Sequence, residues 1–400
     1  METTSIPNSQ YIMNTYNRCE LIFDKGEGSW LTDSLGNKYL DFVAGIAVNC
    51  LGHCHPAISE TLCKQSKELI HLSNLYWNSN QMALAKTLAE LSGLDQVFFC
   101  NSGTEANEAA IKLARKYGSL HGGQSKNIVV HMMNSFHGRT LGALSITGQE
   151  KYQNCFRPLI GGTVQANLND IESLEAVMSD AVCGVFIEPI QGESGVTPAK
   201  AEFLSAAKSL CEKHDALLIF DEVQCGMGRT GALFAFERFG IKPDVVTLAK
   251  GLGGGFPIGA VLANAKAGGA FIPSDHGTTF GGNPLACSVA LTVLDQLVNH
   301  GIIESIPEKN TYILQRINAL KEKTDTLVEI RGMGLILGIQ FTGGAKEIIA
   351  KCLDKRLLLI SAGSEVIRLI PALTISLGEL KIGLDILEEV IMEAATYCKT

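Results

Sequence analysis

Lys250 stands at the end of the run Pro243-Asp244-Val245-Val246-Thr247-Leu248-Ala249-Lys250, and Gly251, Gly253, Gly254 and Gly255 follow. An apolar, β-branched stretch delivers one amine into a glycine-rich bend. A lysine at the mouth of a buried strand loses hydration, which lowers its pKa and frees the amine as a nucleophile. The glycines leave room for a bulky neighbour. Such an amine condenses with carbonyls, above all the aldehyde of pyridoxal phosphate. The plainer alternative is a strand-end lysine that snorkels to water.

A second buried run, Leu217-Leu218-Ile219-Phe220-Asp221, ends in a carboxylate, with Glu222, Val223 and Gln224 after it. A buried aspartate needs a cation or strong donors. A protonated pyridine nitrogen would meet that need and stay electron-accepting; an arginine or a loop would meet it equally well. Asn101-Ser102-Gly103-Thr104-Glu105 follows another apolar run and opens a helix. Small hydroxyl residues and a glycine there make either an anion site, with free N–H groups and the positive dipole end, or an ordinary N-cap.

Other residues suit a flat ring and carboxylate ligands. Phe136, in Asn134-Ser135-Phe136-His137-Gly138-Arg139-Thr140, could stack on a ring, and Arg139 could grip a carboxylate with its planar fork. Glu188 ends a strand, while Glu193 lies in the loop Gln191-Gly192-Glu193-Ser194-Gly195. Arg368 is a charge inside the apolar run Val366-Ile367-Arg368-Leu369-Ile370 and wants an anion.

Two motifs are set aside. Gly226-Met227-Gly228-Arg229-Thr230-Gly231 matches G-x-G-x-x-G, but Asp221 and Glu222 intervene between the strand and the first glycine. Two negative charges there oppose a pyrophosphate, and no helix pattern opens at the last glycine. In Cys50-Leu51-Gly52-His53-Cys54-His55, four candidate ligands in six residues cannot easily wrap one tetrahedral ion. A turn leading into a helix near Pro56 is expected instead, and no metal site.

At 400 residues with 46% hydrophobic side chains, the chain can bury two cores. A net charge of -8 with no basic run argues against nucleic acid, and no apolar stretch is long enough to span a bilayer. Met1–Gln10 is polar and lacks the order of a targeting segment, and the twelve cysteines form no C-x-x-C. Reduced, mostly buried thiols and a cytoplasmic location are expected.

From about residue 55 to 295, helices alternate with short apolar runs: 96–99, 127–131, 184–188, 216–221, 244–248 and 260–263. That pattern predicts an α/β architecture with a mainly parallel, helix-covered sheet. Short strands are expected at 21–23, 30–32 and 38–42, and a helix, strands and a final helix after 300. The expected organisation is a large domain over 55–299 and a smaller α+β domain over 300–400 joined by the segment 1–54.

Together these segments resemble the fold-type I pyridoxal phosphate enzymes, in the class III or ω-aminotransferase family. The matching stretches are Gly52 to Pro56, Asn101 to Asn107, Phe136 to Thr140, Gln191 to Glu193, Asp221 to Gln224, Gly228 to Gly231, Ala249 to Gly251, Thr278 to Pro284 and Arg331 to Gly334. They fall in the family's order across nearly the whole chain.

The resemblance implies that Lys250 holds the cofactor as a Schiff base and moves the proton. It implies that Asp221 pairs with the ring nitrogen and Gln224 lies near the ring hydroxyl. Phe136 and Val223 would cover the ring faces, and Ser102, Gly103 and Thr104 would hold the phosphate. Thr279 would reach the neighbouring subunit's phosphate in a homodimer with shared sites. Arg139 would bind the distal carboxylate, Arg368 the α-carboxylate of glutamate, and Glu193 would gate Arg368.

The implied reaction moves the terminal amine of N2-acetylornithine to 2-oxoglutarate, as in arginine biosynthesis. Trp30 stands where relatives acting on free ornithine carry a tyrosine, which tilts the reading toward an acylated substrate. Members acting on ornithine, succinylornithine, acyl-diaminopimelate or 4-aminobutyrate share almost every motif. An aminomutase on the same fold also stays open.

Overall fold

The structure, a computed structural model, describes residues 6–397, with side chains through 394. The expectation for Met1–Gln10 therefore falls partly outside the described residues.

Three short antiparallel strands come first: β1 (Phe23–Glu27), β2 (Trp30–Asp33) and β3 (Lys38–Asp41). The first begins where the expected strand at 21–23 would have ended. Asp33 shapes the β2–β3 turn, accepting from the N–H groups of Leu35 and Asn37. The main sheet follows, with β4 (Gln96–Cys100), β5 (Ile128–Met132), β6 (Thr163–Ala166) and β7 (Val182–Ile187). A small hairpin of β8 (Ile190–Gln191) and β9 (Thr197–Pro198) interrupts it. Then come β10 (Leu217–Asp221), β11 (Val245–Leu248) and β12 (Gly259–Ala263).

The sheet has seven strands in the order β4-β12-β11-β10-β7-β5-β6. Strands β11, β10, β7, β5 and β6 run parallel, and β12 runs antiparallel to both its neighbours. Every residue of β7, β10, β11 and β12 is buried. Helices cover both faces, which is why these strands read as unbroken apolar runs. The edge strand β6, Thr-Val-Gln-Ala, lacks such a run and escaped the sequence pattern.

The C-terminal part supplies β13 (Leu327–Met333), β14 (Ile336–Phe341), β15 (Leu357–Leu358), β16 (Ile360–Ser361) and β17 (Val366–Leu369). Four of them form a sheet in the order β13-β14-β17-β16, while β15 joins the N-terminal strands by pairing with β3. The turn at Gly52–His55 leads into the helix Pro56–Gln65, as expected. Gly52 has φ +84, and a Cβ there would meet the Gly28 carbonyl oxygen at 2.8 Å.

No single helix among the described residues is long and apolar enough to cross a membrane. The bent pair Pro284–Asn299 and Ile303–Lys321 passes by length and composition, but Val293, Leu297, Ile313 and Ile317 are buried in the core.

Candidate active site

Parallel strands bring their carboxyl ends to one edge, and ligand sites of open α/β sheets lie there. Glu188 follows β7, Asp221 ends β10 and Lys250 follows β11, so three adjacent strands place three ionisable groups side by side. They line one cavity of about 420 Å³. Ser102, Gly103, Thr104, Phe136, Val223, Arg139, Glu193 and Gln224 also line it.

Lys250 sits at the bend with φ +42, an uncommon left-handed position for a residue with a Cβ. Burial holds its ammonium below the usual lysine range, and the Arg368 charge adds to this. Glu193, Asp221 and Glu188 oppose it without cancelling it. Lys250 is half-buried and lines the cavity, which weighs against the solvated-lysine alternative.

Asp221 is almost fully buried, and its Oδ2 accepts from Asn107 Nδ2 and from His137 Nδ1, each at 2.7 Å. Its Oδ1 accepts from the Val223 N–H at 3.0 Å. Glu188 is buried too, and its Oε2 accepts from the Phe136 N–H at 2.9 Å. Burial first, then the Asp221 charge, pushes its carboxyl well above the ordinary range. Its bond to the Phe136 N–H ties the loop bearing Phe136 to β7.

The helix Gly103–Gly122 opens at the cavity. Ser102 is its N-cap, accepting from the Glu105 N–H at 3.3 Å, while Glu105 accepts from the Asn101 N–H at 2.7 Å. The cap does not exclude an anion site, since the first-turn N–H groups at Gly103 and Thr104 have no helical carbonyl to meet. A Cβ on Gly103 would lie 2.6 Å from Val223 Cγ1, so only glycine lets that wall approach the helix start. Gly138 has φ +138, and a Cβ there would strike Thr104 Oγ1 at 2.2 Å.

Arg368 comes from β17, where it pairs with Gly338 of β14 and Ile360 of β16. Its side chain is fully buried, and Nη1 donates to Glu193 Oε1 at 2.6 Å, Gln224 Oε1 at 2.9 Å and the Gly192 carbonyl at 2.8 Å. Its Nε and Nη2 have no partner among the described residues. Burial alone would raise the Glu193 carboxyl, but the Arg368 charge and hydrogen bond hold it below the usual range. Arg139 is exposed, its guanidinium 3.9 Å from the Tyr152 ring centre and 5.6 Å from that of Phe136.

Two further residues lie outside this cavity. Thr279 is exposed and lines a neighbouring cavity with Asn101, Glu105 and Thr278, outside the one that holds Lys250. Trp30 does not line the cavity; its Nε1 donates to Glu379 Oε1 at 2.9 Å, beside the C-terminal helix. Asn107, His137 and Glu188 line the cavity as well, and sequence reasoning left them without a role. Asn107 had a signal: it falls on the buried stripe of its helix with Ala110, Leu113 and Ala114.

The glycine-rich Gly226–Gly231 segment is a structural loop. Glu222, buried, accepts from the N–H groups of Ala235 and Phe236, and Arg229 donates to the carbonyls of Leu335 and Pro371. No helix opens after Gly231 to receive a pyrophosphate. In the Cys50–His55 segment, Cys50 Sγ donates to the Gly251 carbonyl and His53 Nε2 lies 2.7 Å from Asp41.

The family model for "Aminotransferase class-III" matches residues 11–391. The chain belongs to the class III aminotransferases. It is therefore an aminotransferase whose cofactor is pyridoxal phosphate. The acetylornithine aminotransferase of Clostridium acetobutylicum is 51% identical over 96% of this chain and 100% of its own. A succinylornithine transaminase of Yersinia pseudotuberculosis is 46% identical over 94% and 93%. Among solved structures, the ornithine aminotransferase of Toxoplasma gondii superposes with a TM-score of 0.93 at 32% identity, covering 96% of this chain and 93% of that one. The N-acetylornithine aminotransferase of Stenotrophomonas maltophilia gives 0.85 at 37% identity, covering 98% and 99%.

The residues present fit the cofactor. A half-buried amine, an aspartate oxygen with a single backbone donor, the apolar side chains of Phe136 and Val223 and a helix start share one cavity.

Proposed function

We propose that this aminotransferase moves the terminal amine of N2-acetylornithine to 2-oxoglutarate, giving N-acetylglutamate 5-semialdehyde and glutamate. When bound, pyridoxal phosphate supplies the electron sink. Lys250 Nζ would hold it, and the same amine would take the proton from the carbon beside the transferring nitrogen. Asp221 would pair with the ring nitrogen, and Gln224 would serve the ring hydroxyl. Phe136 and Val223 cover the ring, and Ser102, Gly103 and Thr104 bind the phosphate. Arg139 takes the distal carboxylate of the acylated substrate.

The observation that carries this reading is the Arg368–Glu193 pair. A ping-pong enzyme must admit two unlike donors to one pocket. Glutamate brings a carboxylate to the reacting carbon, and Arg368 has two unpartnered N–H-bearing nitrogens to receive it. The ω-amine brings none, and Glu193 then keeps the buried guanidinium paired.

The enzyme acts in arginine biosynthesis in the cytoplasm, as a homodimer in which Thr279 of one subunit serves the other's phosphate. Its organisation is a large cofactor-binding domain over 55–299 and a small domain over 300–400 completed by residues 1–54. The pairing of β15 with β3 supports that last point. Steady-state comparison of acetylornithine, succinylornithine, ornithine and 4-aminobutyrate tests the substrate. Acetylornithine should show the highest kcat/KM; a clear preference for any other would overturn the choice.

A further inference from the structure

Asp221 is braced on one side only. Both side-chain donors, Asn107 and His137, converge on Oδ2, each at 2.7 Å, while Oδ1 has the Val223 N–H at 3.0 Å. Asn107 cannot turn its amide around. Its Oδ1 accepts from Thr247 Oγ1 at 2.8 Å, and its Nδ2 also donates to the His137 carbonyl at 2.7 Å. Thr247 is the register partner of Asp221 on β11, three residues before Lys250. One hydrogen-bonded chain thus ties the aspartate to the strand that carries the lysine.

His137 completes the brace. Its side chain has no exposure, and its Nε2 has no hydrogen-bond partner among the described residues. The ring instead meets Phe186, centre to centre at 5.7 Å and 67°. Its backbone is pinned as well, with the N–H donating to Thr147 Oγ1 at 3.0 Å. A hydrogen on Nε2 would be buried with no acceptor, which is costly, whereas a hydrogen on Nδ1 has the carboxylate. The second arrangement leaves the ring uncharged and the full negative charge on Asp221.

We propose that His137, as the Nδ1–H tautomer, is a positioning residue that with Asn107 fixes Asp221 so that Oδ1 faces the cofactor's protonated ring nitrogen with its charge undiluted. This rests on the reading that Asp221 pairs with that nitrogen. His137 touches neither cofactor nor substrate in this account; it acts through Asp221.

The test has two arms. Long-range ¹H–¹⁵N spectra of cofactor-free, histidine-labelled protein at neutral pH should show His137, assigned by its loss in H137N, with Nδ1 protonated and Nε2 bare. An imidazolium, or a hydrogen on Nε2, would overturn the proposal whether or not the protein binds pyridoxal phosphate.

The second arm compares H137N, whose amide can replace the Nδ1 donor, with H137F, which fills the space without donating. With the cofactor loaded, H137F should lower kcat/KM by about 10- to 100-fold, the range for losing a hydrogen bond to a charged group. It should also displace the pH midpoint of the visible absorbance. H137N should stay within about threefold and keep the midpoint. Equal losses in both variants, with matching falls in melting temperature, would reduce His137 to packing and overturn the proposal. Failure of the wild type to take up pyridoxal phosphate would instead sink the cofactor reading, and the spectra would still decide the tautomer.

Discussion

Glu193 Oε1 lies 2.6 Å from Arg368 Nη1, and that arginine has no solvent exposure of its own. Leaving a buried charge unpaired costs about 3–5 kcal/mol. Glu193→Ala removes the partner in the half-reaction whose substrate brings no α-carboxylate to Arg368. Single-turnover kinetics should show the ω-amine half slowed by about 100-fold or more, with the glutamate half within about threefold. Equal losses in both halves would rule out the gate.

Arg139 stacks on Tyr152 at 3.9 Å and is open to solvent. In the proposed role at the distal carboxylate, its planar fork matters as well as its charge. Arg139→Lys keeps the charge and loses both fork and stack. We expect KM for acetylornithine to rise about tenfold, with kcat changed less. A drop confined to kcat would place Arg139 elsewhere in the reaction.

Much of this site was legible because burial makes polar residues conspicuous. Lys250 and Asp221 end apolar runs, and Arg368 interrupts one. The main strands stood out for the same reason. What escaped is what needs two distant segments at once. The Asn107–Asp221–His137 brace joins a helix, a strand end and a loop, and no one-dimensional pattern announces it. The direction of β12 is set by what packs beside it, and its five residues read the same either way. Trp30 was read from its place in the chain, and no sequence pattern shows that its indole reaches Glu379.

Thr279 lines a different cavity from Lys250 within one chain. If it serves a second subunit, two damaged proteins can repair each other. Lys250→Ala and Thr279→Val homodimers should each be impaired, and a mixed dimer would carry one site with both defects and one with neither. Unfolding and refolding the mixture together should recover activity above the sum of the two. No recovery would mean that Thr279 acts within its own chain or not at all.

Glu222 shapes the loop after β10, and burial pushes its carboxyl up to about 8, against the pull of its bonds from the Ala235 and Phe236 N–H groups. Its folded pKa lies above the unfolded value near 4.5, so the unfolded chain binds fewer protons between those limits. Its contribution is present at low pH and is lost as pH rises toward 8. Glu222→Gln should cost about 1–3 kcal/mol by leaving one N–H unsatisfied, yet flatten the fall in Tm between about pH 5 and 8. An unchanged slope would show that Glu222 is ionised throughout.

The most direct measurement is to load the protein with pyridoxal phosphate, reduce it with borohydride and map the labelled peptide. The label should sit on Lys250 alone, and Lys250→Ala should lose both the label and the wild-type visible absorbance. A label on another lysine, or wild-type absorbance that borohydride still traps in Lys250→Ala, would contradict the account.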